Sequence, residues 1–404
     1  MNILIIHSHN ANRGDEAAVK AMVDELLLKY PEAEITISNN GFTPYPKMDK
    51  RVKQISRFPK LQSKIAQLEF FFLLFTKGHF AFTKEAKTFF NVLREADLVI
   101  HAPGGPSIGD IYYKAEKLYL WRLNLIRRMG IPYMFYAPSM GPFKNKERSA
   151  LREEVLRGAE KIILRDPISI GYLNDFLPDL KAEHAFDSAL QHDVDMAVNS
   201  LIYNKYSDLK NFIESHEKCI GITITDLKWH PVHKNDSSAE KITEAFHKFI
   251  EQKVGEGYGV VFIPQLYGTG NDTELMNKFM IKGHTFMVDA FEEDHDAYFQ
   301  QYVVGKLYAV VGMRYHSNIF SAKMGTPFIS VAYEQKMSGF MKSIGLSEYC
   351  LDLSELSYDR LNNRFNALIA DYDNYKNKLS DLHEYMKKGS HKSTEVVIEI
   401  LEGK

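Results

Sequence analysis

Residues 307–332 read LYAVVGMRYHSNIFSAKMGTPFISVA, a pattern that predicts a strand, a turn, a short helix and a second strand. Apolar, β-branched runs at 307–311 and 328–332 indicate the strands, and residues 318–324 indicate the helix. Gly325-Thr326-Pro327 is typical of a helix end. Two strands joined through a helix are parallel neighbours, and the helix covers one face of their sheet.

The same alternation of strands and helices recurs along the chain. It predicts an α/β protein with parallel sheets, starting at residues 3–7 and starting again at 219–225. A length of 404 residues exceeds what one hydrophobic core normally serves. We therefore predict two Rossmann-like domains, residues 1–200 and 201–404, that face each other across a cleft, with helices at the C-terminus.

Composition excludes several classes of protein. Hydrophobic residues make up 45% and charged residues 25%, the balance of a globular protein. A net charge of -2 argues against nucleic acid as a partner, because that binding needs a basic face. Two cysteines cannot form a disulfide framework. The sequence starts without a basic leader and has no apolar run near the roughly 20 residues that span a bilayer, so we expect a cytoplasmic protein.

Two glycine-containing segments follow predicted strands of the first half. In the first, Arg13, Gly14 and Asp15 precede a helix, where free backbone amides suit an anion. In the second, Gly104 and Gly105 belong to PGGPSIGD, which lets a ligand approach the backbone closely. A capped loop and a tight turn without any ligand remain the structural alternatives.

Two arginines lie where a predicted strand meets a helix. Arg165 precedes Asp166-Pro167, an N-cap followed by a proline in the first turn. Arg314 and His316 are two residues apart, so in an extended segment their side chains point the same way. With Ser317 and the helix N-terminus beside them, they suit an anion and a proton donor. This pattern predicts the functional site.

The sequence resembles the polysaccharide pyruvyl transferases. The strongest part of the resemblance is the run Arg314-Tyr315-His316-Ser317 with Ile319-Phe320-Ser321, Gly325-Thr326-Pro327, Tyr333, Lys336 and Gly339-Phe340. Earlier parts are Asn12-Arg13-Gly14-Asp15-Glu16, Gly104-Gly105, Gly141-Pro142, Arg165-Asp166 with Ser169, and Asp187 with Ala189. The resemblance covers most of residues 12–340 and implies a fold like that of the GT-B glycosyltransferases.

The resemblance also implies a reaction. The enolpyruvyl carbons of phosphoenolpyruvate would move onto two hydroxyls of a sugar, which forms a cyclic ketal and releases phosphate. The donor carries a phosphate and a carboxylate, so its site needs at least two cations. Arg314 is predicted to bind one anion and Arg165 the other, with Lys336 or Arg13 as substitutes. Phosphoenolpyruvate is a substrate here, and the scheme requires neither a cofactor nor a metal.

The remaining roles follow from the same scheme. His316 is predicted to be the general acid that protonates the terminal enol carbon. Asp110 and Asp15 are candidates for the group that activates a sugar hydroxyl. The acceptor, a polysaccharide repeat unit or its lipid-linked precursor, is expected on the first domain. The first strand of the second domain often ends in a basic residue in this family, and here only Lys228 follows it closely.

Two other functions remain open from the sequence. One is a nucleotide-sugar glycosyltransferase of the GT-B type, for which Asp294-His295-Asp296 resembles a metal motif, although a helix cap explains it better. The other is a non-catalytic sugar-binding protein. The presence of Arg314, His316 and the two glycine segments together argues against this second alternative.

Six phenylalanines lie from Phe70 to Phe82 inclusive, in the stretch 58–82, which also contains Lys60, Lys64 and Lys77. A helix packed inside the first domain is the favoured interpretation. The alternative is an interfacial helix that makes peripheral contact with the inner face of the membrane.

Overall fold

The computed structural model describes residues 1–9, 11–40, 44–58, 64–267, 271–292 and 294–403. The chain forms two compact units. The first consists of Met1–Asn10, Ala18–His192 and Gly389–Lys404, and the second of Ala11–Ala17 and Asp193–Lys388. Each unit has its own parallel sheet flanked by helices, which confirms the predicted α/β class.

The first unit contains a seven-stranded sheet in the order β3-β2-β1-β4-β6-β8-β9 and a two-stranded sheet of β5 and β7. The strands are β1 (Asn2–Ser8), β2 (Glu34–Asn39), β3 (Val52–Ser56), β4 (Leu98–His101), β5 (Gly104–Ile108), β6 (Tyr133–Phe135), β7 (Pro138–Met140), β8 (Lys161–Leu164) and β9 (Glu183–His184). The helices are α1 (Arg13–Lys29), α2 (Lys64–Thr76), α3 (Lys84–Glu95), α4 (Tyr113–Met129), α5 (Ser149–Arg157) and α6 (Pro167–Phe176). Every pairing in the larger sheet is parallel.

Both faces of this sheet are buried, which explains the continuous apolar strands. In β1, Leu4 and Ile6 belong to one core cluster, whereas Ile3 and Ile5 belong to the other. Alternate residues of a strand point to opposite faces, so a strand covered on both sides is apolar throughout.

The second unit contains a six-stranded parallel sheet in the order β12-β11-β10-β13-β14-β15. Its strands are β10 (Cys219–Thr223), β11 (Gly259–Phe262), β12 (Thr285–Met287), β13 (Ala309–Gly312), β14 (Phe328–Ala332) and β15 (Cys350–Asp352). Its helices are α7 (Met196–Lys205), α8 (Ser207–Ser215), α9 (Ser238–Gly255), α10 (Asp272–Met276), α11 (Ala297–Val304), α12 (Tyr315–Met324), α13 (Gln335–Ser343), α14 (Tyr358–Ala370) and most of α15 (Tyr372–Glu402).

The strand orders locate one ligand position in each unit. Connections run outward in opposite directions from β1 and β4 in the first sheet, and from β10 and β13 in the second. In open parallel sheets, ligands bind at such switch points, outside the carboxyl ends of the strands. The segments that follow β1, β4, β10 and β13 are therefore the places to look for function.

The division of the chain differs in detail from the predicted ranges 1–200 and 201–404. The units separate between His192 and Asp193, and residues 389–404 return to the first unit. Residues 11–17, which carry the Arg13-Gly14-Asp15 segment, belong to the second unit. Hydrophobic burial explains the return of the last helix, because Val396 and Val397 complete a core cluster that includes Ile5 and Ile37.

The aromatic stretch has one buried side and one exposed side. Phe70 and Leu73 of α2 are buried in the core of the first unit. On the other side of α2, Phe71 and Phe75 are exposed, Phe75 to 88% of its surface. Lys60 lies outside the described residues. In the part of the chain that the structure describes, no helix is long and apolar enough to cross a membrane.

Candidate active site

The centre of the second unit's site is the junction between β13 and α12. Arg314 is the N-cap residue of α12, and its backbone is extended, with φ -99° and ψ 136°. Its backbone N–H donates to Thr223 Oγ1 at 3.2 Å, which fixes the junction against the end of β10. Ser317 Oγ lies 2.8 Å from the same Thr223 oxygen. The carboxyl ends of β10 and β13 are thereby joined at the switch point.

The guanidinium of Arg314 is buried and paired. Its Nε donates to Asp272 Oδ2 at 3.1 Å, and its Nη2 donates to Asp272 Oδ1. Asp272 also accepts from the backbone N–H groups of Gln265 and Leu266, at 3.1 and 3.0 Å. Burial alone would lower the pKa of Arg314, but Asp272 and Tyr333 together outweigh it and raise that pKa. One edge of the guanidinium is therefore fixed by Asp272.

Two aromatic rings border Arg314. Its guanidinium carbon lies 5.0 Å from the centroid of the Trp229 ring, a cation–π distance. Tyr333, directly after β14, also hydrogen-bonds the Arg314 side chain. Burial raises the pKa of the Tyr333 hydroxyl, while Arg314 and Lys336 oppose that rise. The Tyr333 hydroxyl therefore interacts electrostatically with both Arg314 and Lys336.

Lys336 belongs to a chain of polar contacts behind Tyr333. Its Nζ lies 2.7 Å from Glu334 Oε2, and His230 Nε2 lies 2.9 Å from Glu334 Oε1. Burial would raise the pKa of Glu334, but Lys336 and His230 outweigh it and lower that pKa. Glu334 is thus a buried carboxylate that orients both a lysine and a histidine.

His316 lies in the first turn of α12 and packs against Gly14. A Cβ built on Gly14 would lie 2.0 Å from Nδ1 and 2.2 Å from Cγ of His316. Any side chain at residue 14 would collide with the imidazole. The Gly14 segment was predicted to suit an anion, and in this structure the group that approaches Gly14 is His316.

Arg13 and Glu16 attach this glycine segment to the second unit. Arg13 Nη1 lies 2.5 Å from Glu16 Oε2, and the guanidinium carbon lies 4.7 Å from the Tyr267 ring centroid. The Arg13 backbone N–H donates to Gln265 O at 2.9 Å. Glu16 Oε1 accepts from Ala297 N at 2.9 Å at the start of α11. Arg13 thus has a structural partner, whereas Asp15 is half-buried in the first turn of α1.

Arg314 and His316 do not lie in one extended segment, so the prediction that their side chains point the same way is wrong. Helix α12 begins at Tyr315 rather than at residue 318, so His316 is helical while Arg314 is not. Arg314 contacts Asp272 and Trp229, and His316 contacts Gly14. The residues share one helix start, but they do not project from one face of a strand.

Arg165 lies in the first unit, buried after β8. Its Nη1 donates to Asp187 Oδ2 at 2.6 Å and its Nε to Ser139 Oγ at 3.0 Å. Asp187 in turn caps a short helical turn by accepting from Ala189 N. The predicted helix cap after Arg165 is confirmed, because Asp166 accepts from Ser169 N at 2.8 Å at the start of α6.

The Gly104-Gly105 segment forms β5 and pairs with β7 instead of remaining a loop. Gly109 after it lies so close to Gly141 that an added Cβ would be 2.6 Å from its Cα. Asp110 accepts from Lys144 N at 2.6 Å and binds Arg152 Nη2 at 2.8 Å. Both of its carboxylate oxygens hold this loop, which favours a structural role over that of a base.

Two further candidates from the sequence are Lys228 and the Asp294-His295-Asp296 motif, and the contacts of each indicate its role. Lys228 is exposed and lies 3.6 Å from Asp226, whereas Trp229 and His230 of the same loop face the site. Asp296 caps α11 by accepting from Phe299 N at 2.9 Å, so the cap interpretation of the Asp294-His295-Asp296 motif is confirmed. Over the described ranges, no group of three or more His, Cys, Asp or Glu side chains could hold a metal ion.

Sequence reasoning did not select Asp272, Trp229, His230 or Glu334. All four follow parallel strands of the second unit: β10, β11 or β14. The rule that ligands bind at carboxyl ends of strands could have found them. Asp272 and Trp229 reach Arg314, and His230 reaches Glu334, through contacts between residues 42 or more positions apart, which no local motif contains. Only the pair of Glu334 and Lys336 is local.

Comparison with known proteins identifies the family. Residues 12–335 match the family model for polysaccharide pyruvyl transferase. The amylovoran biosynthesis protein AmsJ of Erwinia amylovora is 24% identical, covering 92% of this chain and 93% of that protein.

Solved structures support the fold. UDP-GlcNAc 2-epimerase from Neisseria meningitidis superposes with a TM-score of 0.60 at 12% identity, over the whole of both chains. A glycosyltransferase from Siraitia grosvenorii in complex with UDP gives 0.56 at 10% identity, also over both whole chains. At this identity the likeness shows the GT-B-like fold alone. The family match covers most of the chain and includes Arg314 and His316, and the chain therefore belongs to the polysaccharide pyruvyl transferase family.

Proposed function

We propose that this transferase moves the enolpyruvyl carbons of phosphoenolpyruvate onto two hydroxyls of a sugar in a polysaccharide or its precursor. One observation carries the proposal: Arg314 and His316 lie at the start of α12, at the strand ends of the second unit and on the segment that matches the family. Lys336, one residue beyond that segment, acts with Arg314 on Tyr333. The relationship to an amylovoran biosynthesis protein supports an exopolysaccharide as the product.

The donor's two anionic groups fit two cations of this unit. Arg314 and Lys336 both act on Tyr333, and both oppose the rise in its pKa. Arg314 and the amides at the start of α12 are assigned to the phosphate, and Lys336 to the carboxylate. Lys336 replaces Arg165 as the second anchor, because Arg165 belongs to the first unit and is paired with Asp187.

His316 is assigned the proton transfer. Its imidazolium gives a proton to the methylene carbon of phosphoenolpyruvate, which becomes a methyl group and leaves C2 electrophilic. A sugar hydroxyl forms a bond to C2 and its proton returns to the imidazole. The second hydroxyl then forms its bond to C2 as the C2–O bond to phosphate breaks. Its proton leaves with the phosphate, so the products are the ketal and hydrogen phosphate.

Gly14 and Glu334 support this chemistry without touching the reacting atoms. Gly14 sets the position of the His316 ring, because only a residue without Cβ allows that approach. Glu334 holds Lys336, and Asp272 holds Arg314. Preorganised charges of this kind stabilise a transition state without reorganisation. Asp15 remains the candidate that orients the first sugar hydroxyl while its proton passes to the imidazole.

Acceptor-dependent phosphate release tests the function. The purified protein is incubated with phosphoenolpyruvate and a panel of galactosides, mannosides and glucosamines, free and lipid-linked. We expect phosphate release only when an acceptor is present, with a product heavier by a pyruvate ketal. Release from a nucleotide sugar without use of phosphoenolpyruvate would instead identify a glycosyltransferase, and binding without turnover would identify a sugar-binding protein.

We further propose that the protein works at the inner face of a membrane, on a lipid-linked acceptor. The α2 patch, defined as the exposed apolar side chains Ile65, Leu68, Phe71, Phe72 and Phe75, lines an open groove of about 500 Å³ with Phe82. Exposed Lys64, Lys77 and Lys84 border it. Aromatic side chains enter the headgroup boundary while lysines meet anionic lipid, so the patch is complementary to such a surface.

A further inference from the structure

The first unit contains a buried cluster of basic side chains at its own switch point. His7 lies at the end of β1 and His101 at the end of β4, with ring centroids 4.6 Å apart. The Tyr119 ring of α4 lies 4.4 Å from His7. One turn further along α4, Arg122 is close enough to lower the pKa of His7, although burial lowers it more. We call His7, His101, Tyr119 and Arg122 the β1–β4 cluster.

Arg122 has no counter-charge among the described residues. It is fully buried, and its Nε, Nη1 and Nη2 all lack a hydrogen-bond partner. Both ring nitrogens of the buried His7 lack one too. The neighbouring charges that act on Arg122 are those of Tyr119 and of another cation, Arg57. Burial lowers the pKa of Arg122, as expected for a cation without a carboxylate.

The undescribed residues of this unit offer no acidic side chain either. They are Asn at residue 10, Gly-Phe-Thr at 41–43, Pro-Lys-Leu-Gln-Ser at 59–63 and Lys at 404. Burial of an unpaired guanidinium with five N–H donors has a high free-energy cost of desolvation, and native proteins pair or neutralise such groups. The missing partner is therefore expected to come from outside the chain.

Backbone geometry also marks this position. His7 has a φ of 63°, in the left-handed region that a non-glycine residue seldom adopts. Strain of this kind persists at binding sites, where it aims a side chain at a ligand. His101 is fixed differently, since its Nδ1 lies 2.9 Å from Ala102 O and its Nε2 lies 2.8 Å from Ser107 Oγ. One histidine is thus held in place while the other has free nitrogens.

We propose that the β1–β4 cluster binds an oxyanion of the sugar acceptor, with Arg122 as its main contact and His7 as a second donor. This inference rests on the proposed function, because it assigns the acceptor to the first unit. The shared chemistry is a carboxylate or phosphate oxygen that accepts from a guanidinium fork. It has two sources: the carboxylate of an acidic sugar, or the phosphate that links a sugar to its carrier. A neutral sugar leaves Arg122 without its counter-charge.

Thermal unfolding with three probes tests the proposal without any turnover. The probes are inorganic phosphate, glucuronate, and glucose as the neutral control. We expect phosphate or glucuronate, but not glucose, to raise the unfolding temperature, because a ligand that binds the folded state stabilises it. The anion with the larger effect identifies the source. Equal responses to glucose and to both anions, or no response to either anion, overturn the proposal.

Substitutions at Arg122 test whether the anion-dependent rise in unfolding temperature arises at the β1–β4 cluster. Arg122→Met keeps the length of the side chain and removes the charge, so it should lose the anion-dependent rise. Arg122→Lys keeps the charge without the fork and should weaken anion binding by ~10-fold or more. The matched control is Arg128→Met, which removes a charge from an exposed position on the same helix. If Arg122→Met keeps the wild-type rise, the cluster is not the binding site.

The donor site also binds phosphate, so each titration is repeated in Arg314→Met. A rise that persists in Arg314→Met and disappears in Arg314→Met/Arg122→Met belongs to the β1–β4 cluster. Failure of the proposed function would instead show as the absence of phosphate release from phosphoenolpyruvate by the wild-type protein. The two failures are therefore seen in different measurements.

Discussion

At the scale of single residues, Arg314 is the most constrained candidate because, under the proposed function, its buried guanidinium binds both Asp272 and an anion. Arg314→Lys keeps the charge but cannot form both bonds to Asp272 while also holding the donor. We expect the KM for phosphoenolpyruvate to rise ~10-fold or more, since a lost charge-assisted hydrogen bond has that effect. Initial rates at varied donor concentration measure it. An unchanged KM would remove Arg314 from the donor site.

Asp272→Asn separates positioning from contact. The amide keeps the shape of the side chain but cannot accept on both oxygens, so the Arg314 fork loses one of its two fixed bonds. We expect a smaller rise in KM than for Arg314→Lys, with the same kcat. A fall in kcat at constant KM would mean that Asp272 acts in the chemical step.

His316→Gln tests the proton transfer. Glutamine keeps hydrogen-bonding capacity but cannot give a proton to carbon, so kcat should fall by ~100-fold or more with little change in donor KM. Steady-state kinetics and a single-turnover measurement provide both values. Near-full turnover in His316→Gln would show that the imidazole only connects α12 to the Gly14 segment.

Gly14→Ala tests a positioning residue. The added Cβ would lie 2.0 Å from His316 Nδ1, so the ring has to move while its chemistry stays intact. We expect a lower kcat, an unchanged donor KM, and a pH–rate profile displaced from that of the wild type. Gly255→Ala in α9 is the control, because nothing lies within 4 Å of its added Cβ. Equal kinetics in the two variants would contradict the contact.

At the scale of elements, the sequence predicts buried strands best. The apolar runs at 98–101, 161–164 and 328–332 predict strands with the bounds that β4, β8 and β14 have, because a strand buried on both faces is a short apolar run between turns. The edge strand β3 (Val52–Ser56) was not predicted, since its residues are polar and largely half-buried. Charged edge strands prevent aggregation, and their composition resembles that of a loop.

Strand β5 shows a second limit. Its sequence, GGPSI, contains glycine and proline, which predict a turn, yet it pairs with β7. The partner Pro138–Met140 supplies the hydrogen bonds, so tertiary context overrides the local preference. The candidate site has the same limit, because the motif identifies Arg314 and His316 while Asp272 and Gly14 become their partners only through folding.

The exposed side of α2 yields a prediction for this element. Wild-type protein should sediment in part with anionic vesicles at low salt and be released at about 1 M salt, where the Debye length is ~3 Å. Phe71→Ser/Phe75→Ser should reduce the bound fraction, because it removes two exposed aromatic side chains. Phe291→Ser, at another exposed phenylalanine, is the matched control. If the wild type stays in the supernatant at low salt, the membrane role is excluded.

At the scale of the whole molecule, each parallel sheet has one switch point and each switch point has a basic group. In the second unit the cations Arg314 and Lys336 are paired with Asp272 and Glu334. In the first unit Arg122 has no described partner. A transferase needs separate places for donor and acceptor, and two sheets with two switch points supply them. This difference in pairing distinguishes the proposed donor site from the proposed acceptor site. The paired cations of the donor site are preorganised, whereas Arg122 would be paired only when the acceptor's anion binds.

The return of the last helix to the first unit gives a prediction about stability. Val397 of α15 is fully buried in the core cluster of that unit, with Ile5 and Ile37. Val397→Ala should destabilise the first unit by ~1–3 kcal/mol, because it removes apolar contacts and leaves a cavity. Hydrogen exchange should show lost protection in β1 and β2, while β10 and β13 keep theirs. The exposed Glu395→Ala on the same helix is the control, and equal loss of protection in both sheets would contradict the assignment of residues 389–404 to the first unit.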